Sequence, residues 1–197
     1  MADMNNGIVS FCLHPGDYSI ERIGTGHIHE TYKLRGRNSF ILQQVNRSVF
    51  KEPEIIAANL RLASDFLKQN FPEYKFLRPL PATDKNEMVY DAHGFPWRLF
   101  PYMENTLTID KVASRDQAFS AANEFALLTR NLDKVPVGGF RETISGFQDL
   151  VWRYRQFEQA LKDSNDKRRF DADQCIAACK GFHYLVDRYT DLIDSKS

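Results

Sequence analysis

Tyr18–Val45 reads YSIERIGTGHIHETYKLRGRNSFILQQV, and its rhythm decides the fold class. Apolar and polar residues alternate with period two in runs broken by turn residues, the pattern of half-buried antiparallel strands. Three strands follow from it: Tyr18–Ile23, Ile28–Leu34 and Ser39–Val45. Gly36-Arg37-Asn38 supplies the turn between the second and third. Further on, Glu87–Asp91 and Pro96–Tyr102 alternate in the same way around the turn Ala92-His93-Gly94. Between Val45 and Glu87 the period changes. Pro53 suits a first helical turn, and Ile56, Leu60, Ala63 and Leu67 recur after it at helical spacing.

After Tyr102 the pattern is helical throughout. Ser114 and Gln117 fit a capping box ahead of a helix over Ala118–Leu132, and the loop Lys134–Gly139 ends it. A second helix, Ser145–Lys162, carries Phe147, Leu150, Val151, Tyr154, Phe157 and Leu161 along one face. Lys162–Arg169 reads as a charged, solvated connector. Asp171–Asp194 reads as a third helix with Ile176, Cys179, Phe182, Leu185 and Val186 inward. The expected class is α+β, a five-stranded antiparallel sheet with one helix over residues 1–102, followed by helices over residues 103–197.

The whole chain has 197 residues, 26 Lys plus Arg against 26 Asp plus Glu, 43% hydrophobic residues and three cysteines. Zero net charge removes the electrostatic footprint of nucleic-acid or membrane-surface binding, so neither partner is expected. No stretch approaches the roughly 18 uninterrupted apolar residues of a membrane span. Met1–Gly16 has no basic region ahead of its short apolar run Ile8–Leu13, so no secretory signal is read there. Cys12, Cys175 and Cys179 are an odd, sparse set, which points to a reducing cytoplasm.

Cys175, Cys179 and His183 recur every four residues, yet the first and last would stand about 12 Å apart along a helix, too far to share one metal. Core packing of small sulfur side chains is the expected role of the cysteines. Asp171 and Asp173 open a charged helix, where carboxylates favour the positive end. No metal site is expected in this chain. Gly24 and Gly26 lie in a turn between two strands, where backbone N–H groups can approach a phosphate, although a plain hairpin explains them equally well. A strand follows these glycines, which excludes a Rossmann fingerprint, and no Gly-Lys-Ser/Thr marks a Walker A loop. His27 and His29 alternate across a strand, so one of them faces any site. Gln43-Gln44 inside an apolar strand puts one amide toward a buried face unless that face is a polar cleft.

Three strands with a glycine turn, a helix, two strands, a hinge and then helices is the order of a protein-kinase-like small lobe joined to a helical lobe. Gly24–Tyr32 (GTGHIHETY), Phe40–Asn46 (FILQQVN), Trp97–Thr106 (WRLFPYMENT) and Glu142–Asp149 (ETISGFQD) resemble the N-acetylhexosamine 1-kinases of the aminoglycoside and choline phosphotransferase superfamily. The likeness spans about Ile20 to Leu161. It implies ATP and magnesium as cofactors of the parent enzyme. Gly24, Thr25, Gly26, His27 and Ile28 would lie over the phosphates, and Pro101, Tyr102, Met103 and Glu104 would form the adenine hinge. His27 would lie toward the sugar; Asp149 and Arg153, four apart on one helix, would either face the sugar as well or form an ordinary surface ion pair. Gln43 stands where a protein kinase has the lysine of its V-A-I-K strand, so neutral amides and magnesium are expected to replace that cation.

The superfamily's catalytic loop, H-x-D-x-x-x-x-N with a later metal-binding Asp, has no counterpart here: no His is followed two residues later by Asp. No catalytic residue is therefore assigned. The expectation is the amino-terminal half of a sugar kinase that phosphorylates the anomeric hydroxyl of N-acetylhexosamine, itself inactive, with an incomplete large lobe. The alternatives are a non-catalytic nucleotide- or partner-binding module, or a fragment of a kinase for choline, homoserine or an aminoglycoside. The apolar faces of the last helices point to self-association through them.

Overall fold

The computed structural model describes residues 7–24, 26 and 28–195. Its elements are β1 (Ser19–Arg22), β2 (Glu30–Arg35), β3 (Phe40–Gln44), α1 (Pro53–Asn70), β4 (Val89–Tyr90), β5 (Pro96–Pro101), α2 (Arg115–Leu132), α3 (Leu150–Asp163), α4 (Asp166–Asp171), α5 (Asp173–Gly181) and α6 (Tyr184–Asp194). The strands form one antiparallel sheet in the order β1-β2-β3-β5-β4. The five strands and the helix expected between the third and fourth are all present. The chain divides into two compact units at Thr143/Ile144.

In the first unit, register decides which side chains share a face, because paired residues of neighbouring strands stand side by side. Tyr32, Leu42 and Leu99 form one row, and Leu34, Phe40 and Pro101 the next. This face is closed: Leu34, Leu42, Trp97 and Leu99 are buried together with Ala82 and Val89. Ile8 and Phe11 join the same cluster, Ile8 fully buried. The apolar run Ile8–Leu13, which carried no assigned role as a sequence, is thus part of the cover of the sheet.

Helix α1 begins with Pro53 in its first turn, where the missing N–H is no loss. It buries Ile55, Ala57, Ala63, Ser64 and Leu67; Ala57 packs with Val45 and Met88, and Ile56 and Phe50 lean on that cluster. Glu87, 3% exposed, ties α1 to the loop ahead of β4. Arg61 Nε donates to its Oε2 at 3.2 Å, and Arg78 donates to its Oε1 from Nε at 3.0 Å and Nη2 at 2.7 Å. Arg78 Nη1 also reaches Asp65 Oδ1 at 2.7 Å.

The buried Asp91 organises the β4–β5 turn. His93 N and Phe95 N donate to Oδ1 at 3.0 and 2.9 Å, and Trp97 Nε1 donates to Oδ2 at 2.9 Å. Gly94 has φ +75°, a value glycine adopts without steric cost.

Helix α2 starts at Arg115, capped by Ser114, whose Oγ accepts from Gln117 N at 3.2 Å. The return bond of the capping box is displaced by one residue: Gln117 Oε1 accepts from Ala113 N at 2.8 Å rather than from Ser114 N.

The second unit departs from expectation in three places. The helix expected from Ser145 begins at Leu150, because Asp149 is its N-cap and accepts from Trp152 N at 2.9 Å. The connector over Lys162–Arg169 contains most of α4, capped by Asn165, whose Oδ1 accepts from Arg168 N. The single helix Asp171–Asp194 is broken at Ala172 and at Phe182-His183 into the ends and starts of α4, α5 and α6. Asp171 therefore ends α4 and pairs with Lys167 at 3.6 Å, while Asp173 opens α5. Of the residues expected inward, Val186 is buried and Ile176 half-buried, whereas Cys179, Phe182 and Leu185 are exposed. Cys175 is exposed as well, which corrects the core role expected for the two cysteines.

Candidate functional site

The second face of the sheet is half open. Thr31, Gln43 and Arg98 stand in one row across β2, β3 and β5, and Lys33, Ile41 and Phe100 in the next. All six are half-buried, in contrast to the closed opposite face. The polar row is bonded in series. Arg98 donates to Gln43 Oε1 from Nε at 2.9 Å and from Nη2 at 2.6 Å. Gln43 Nε2 in turn donates to Thr31 Oγ1 at 3.0 Å.

Gln43, singled out as an amide in an apolar strand, therefore faces a polar, half-open surface and spends its carbonyl on a guanidinium. Sequence reasoning missed that guanidinium. Its one signal is that Arg98 is the only charge in the run Pro96–Pro101. Burial pulls its pKa down to about 10, which leaves it charged at neutral pH. It lies 5.1 Å from the centroid of the Phe100 ring, a cation–π contact. Beside the neutral amide expected at this place, the structure puts a cation one strand over from Gln43.

The turn between β1 and β2 lies at the Gln44 and Trp97 end of the sheet, as the pairing of Glu30 with Gln44 and of Gln44 with Trp97 requires. Gly24 has φ +85°, and a Cβ on Gly24 or on Gly26 would meet nothing within 4 Å. Gly24 is thus set by backbone conformation, and the space beside both glycines is open. Ile28 is exposed. Thr25 and His27, two of the residues assigned to phosphates and sugar, lie outside the described residues.

At the opposite end of β5, Pro101–Glu104 leads out of the sheet. Tyr102 N donates to Ser39 O at 3.1 Å, and Met103 O accepts from Thr106 Oγ1 at 2.9 Å. The Tyr102 ring carries Lys33 Nζ 3.4 Å from its centroid. Met103 and Glu104 are exposed.

His29 precedes β2 and packs inward: its ring stacks on Phe50 with centroids 5.3 Å apart. Its Nδ1 accepts from Asn46 N at 3.2 Å. Burial, with the charge of Arg98 second, holds its pKa below the usual value. Both causes favour the neutral ring, which the bond from Asn46 also requires.

In the second unit Asp149 and Arg153 do not simply share a helix face, since one caps α3 and the other lies within it. Arg153 Nε donates to Phe147 O at 3.1 Å, and its guanidinium lies over the rings of Phe147 and Trp152.

No protein-family model matches the sequence. Among solved structures the chain is similar to a spectinomycin phosphotransferase in complex with ADP and spectinomycin, at 15% identity and a TM-score of 0.53. The match covers 90% of this chain and 53% of that one, so the chain spans about half the length of the structure it resembles. The chain has a kinase-like α+β fold. At this identity the likeness concerns the fold.

The first unit also has clefts away from the Thr31–Gln43–Arg98 row. One of about 390 Å³ lies against α1 and β4, lined by Glu54, Arg61, Asn86 and Glu87 among others. Another, of about 500 Å³, lies beside Pro101 and Met103, against Leu67 and Phe76. The described residues contain no group of three His, Cys, Asp or Glu side chains arranged to hold a metal. They do fit an anion, because a half-buried guanidinium balanced only by a neutral amide has charge left to offer. No described helix is long and apolar enough to cross a membrane.

Proposed function

We propose that this chain is the nucleotide-binding part of an ATP-dependent small-molecule phosphotransferase. The observation that carries the reading is the half-open sheet face, with an open glycine turn at one end, an exposed hinge segment at the other and Gln43 and Arg98 between them. The similar structure, a phosphotransferase holding ADP, supports it. In this reading residues 1–102 form the small lobe and residues 103–197 the hinge and first helices of a larger one. The motifs at Gly24–Tyr32 and Trp97–Thr106 favour N-acetylhexosamine as the parent enzyme's acceptor, phosphorylated at its anomeric hydroxyl. His27, Asp149 and Arg153 are its proposed contacts, Asp149 through the oxygen not engaged by Trp152. ATP and magnesium are the parent's cofactors, and a reducing cytoplasm is the proposed setting.

A nuclear magnetic resonance titration tests the reading. ATP is expected to shift signals of Gly24, Gly26 and Met103–Glu104 with a dissociation constant on the order of 0.1–1 mM, equivalent to about 4–6 kcal/mol. An absence of shifts at several millimolar ATP overturns it. Because the catalytic loop motif is absent from the sequence, ADP release with ATP, magnesium and N-acetylglucosamine is expected at background. Magnesium-dependent turnover above that of a Gly24→Asp, Gly26→Asp control would overturn this. A second reading is a module that binds nucleotide without catalysis, in which case the ATP shifts appear and no sugar changes them.

We further infer that the chain self-associates through residues 144–195. Val186 is the single buried residue among those described in this unit, while Phe147, Trp152, Phe170, Phe182 and Leu192 are exposed. Covering about 400 Å² of such surface contributes roughly 10 kcal/mol before the cost of association. A two-fold contact hides the same patch on both copies. Light scattering at micromolar concentration is expected to give a dimer, and a monomer of 22.8 kDa contradicts it.

A further inference from the structure

A cation set into a sheet is ordinarily matched by a carboxylate, because removing it from water is costly and a neutral partner returns only part of that cost. Glu87 shows the ordinary case in this molecule, shared by Arg61 and Arg78. Arg98 is the exception. Burial is the whole cause of its lowered pKa, with no acid opposing it. Its two bonds both go to Gln43 Oε1, through Nε and Nη2, which leaves Nη1 without a hydrogen bond among the described residues. Thr31 fixes the other end of the Gln43 amide, so Gln43 is held with its carbonyl toward the guanidinium. The arrangement aims a charge and leaves it unneutralised.

Its place in the sheet says toward what. The row Lys33–Ile41–Phe100 lies next to the hinge end and presents two half-buried apolar side chains. The row Thr31–Gln43–Arg98 lies two residues further along each strand, about 7 Å on at the strand rise, and nearer the glycine turn. An apolar platform followed by a cation at that spacing suits a flat base attached to a chain of anionic groups.

We propose that Arg98 is the cation of a polyphosphate subsite on this half-open sheet face, and that Gln43, fixed by Thr31, is its positioning residue. The inference rests on the nucleotide reading above and deepens it: the charge that a protein kinase carries as a lysine on its third strand is supplied here from β5. A planar fork suits phosphate oxygens in pairs, and Nη1 is the edge left to receive them.

The test uses the full chain and three probes, ATP, tripolyphosphate and adenosine, by calorimetric titration at low salt. Arg98→Gln is expected to weaken ATP and tripolyphosphate at least tenfold and leave adenosine unchanged. Arg98→Lys, which keeps the charge and loses the fork, is expected to weaken both several-fold, and it serves if Arg98→Gln does not fold. Gln43→Met is expected to weaken them in the same sense without altering adenosine, which a merely structural brace would not do. If a folded Arg98→Gln chain binds ATP and tripolyphosphate within twofold of wild type, the subsite is overturned. It is equally overturned if wild type binds adenosine as tightly as ATP, although base binding then stands. If tripolyphosphate binding is lost in Arg98→Gln while ATP binds no tighter than tripolyphosphate, the subsite stands and the nucleotide reading falls. If wild type binds none of the three, both fall.

Discussion

Replacing Glu87 with alanine is expected to lower the unfolding free energy of the first unit by about 3–5 kcal/mol. The carboxylate is 3% exposed and accepts from three guanidinium nitrogens on two side chains. Removing it leaves Arg61 and Arg78 facing each other around a hole, with like charges and no common counterion. Asp65 still holds one edge of Arg78, and both guanidiniums are partly solvated, which places the effect toward the lower end of that range. Glu87→Gln keeps the shape and one acceptor, and a smaller loss of about 1–3 kcal/mol is expected. Urea unfolding followed by tryptophan fluorescence measures both variants. A loss below about 1 kcal/mol for alanine, within the range of an exposed pair, would mean that the arginines hydrate independently and that Glu87 does not clamp α1.

Asp91→Ala is the second large effect, with an expected loss of about 3 kcal/mol. Three donors converge on this carboxylate, and the buried Trp97 Nε1 has no water to turn to; each buried donor left unpaired costs about 1–3 kcal/mol. Burial pushes the Asp91 pKa up, but the bonds from Trp97, Phe95 and His93 outweigh it and the net shift is downward. A folded-state pKa below the unfolded one means that ionised Asp91 contributes stability above the unfolded value of about 3.9. That contribution is lost as pH falls through the lower folded value. The stability difference between wild type and Asp91→Asn should therefore be constant near neutrality and shrink below about pH 4. A difference that grows on acidification would show that the sign is reversed and that burial dominates.

Much of the first unit is legible as sequence because its strands alternate over residues long enough to show the period, and because Pro53 marks where the period changes. The closed face can be read from Leu34, Leu42 and Leu99 alone. Register cannot be read so directly. Gln43 announces itself as an amide among Phe40, Ile41 and Leu42, but its neighbour Arg98 stands 55 positions away, brought alongside by a helix and two loops that no local pattern measures. Asp91 is similar: the turn Ala92-His93-Gly94 is visible, whereas the indole that completes the carboxylate's shell depends on which face Trp97 takes. In the second unit the apolar spacing over Asp171–Asp194 is compatible with one helix. Nothing in that spacing marks Ala172 as a break, while the second break follows Gly181, a helix-ending signal that the apolar spacing on either side overrides in a reading by period. The displaced capping box at Ala113 shows the same limit on a smaller scale, where residue types fix the motif and backbone direction fixes the partner.

The burial of Ile8 and Phe11 beneath Leu42 and Trp97 has a consequence for the chain as it is made. Positions 8 and 97 touch one cluster, and ribosomes add about 5–20 residues per second, so on the order of 4–18 s separates the emergence of one from the other. Throughout that interval β1, β2 and β3 can pair among themselves, but β3 is an open edge, with Leu42 and Leu34 under a lid that has nothing yet to close on. The strand that fills the place beside β3 is the last of the five to be synthesised. An unpaired, apolar edge that waits for its neighbour is the species most prone to join another chain. Yield in a cell is therefore governed by how quickly residues 46–95 are translated and how well that edge is shielded meanwhile, a kinetic exposure that the finished sheet no longer displays.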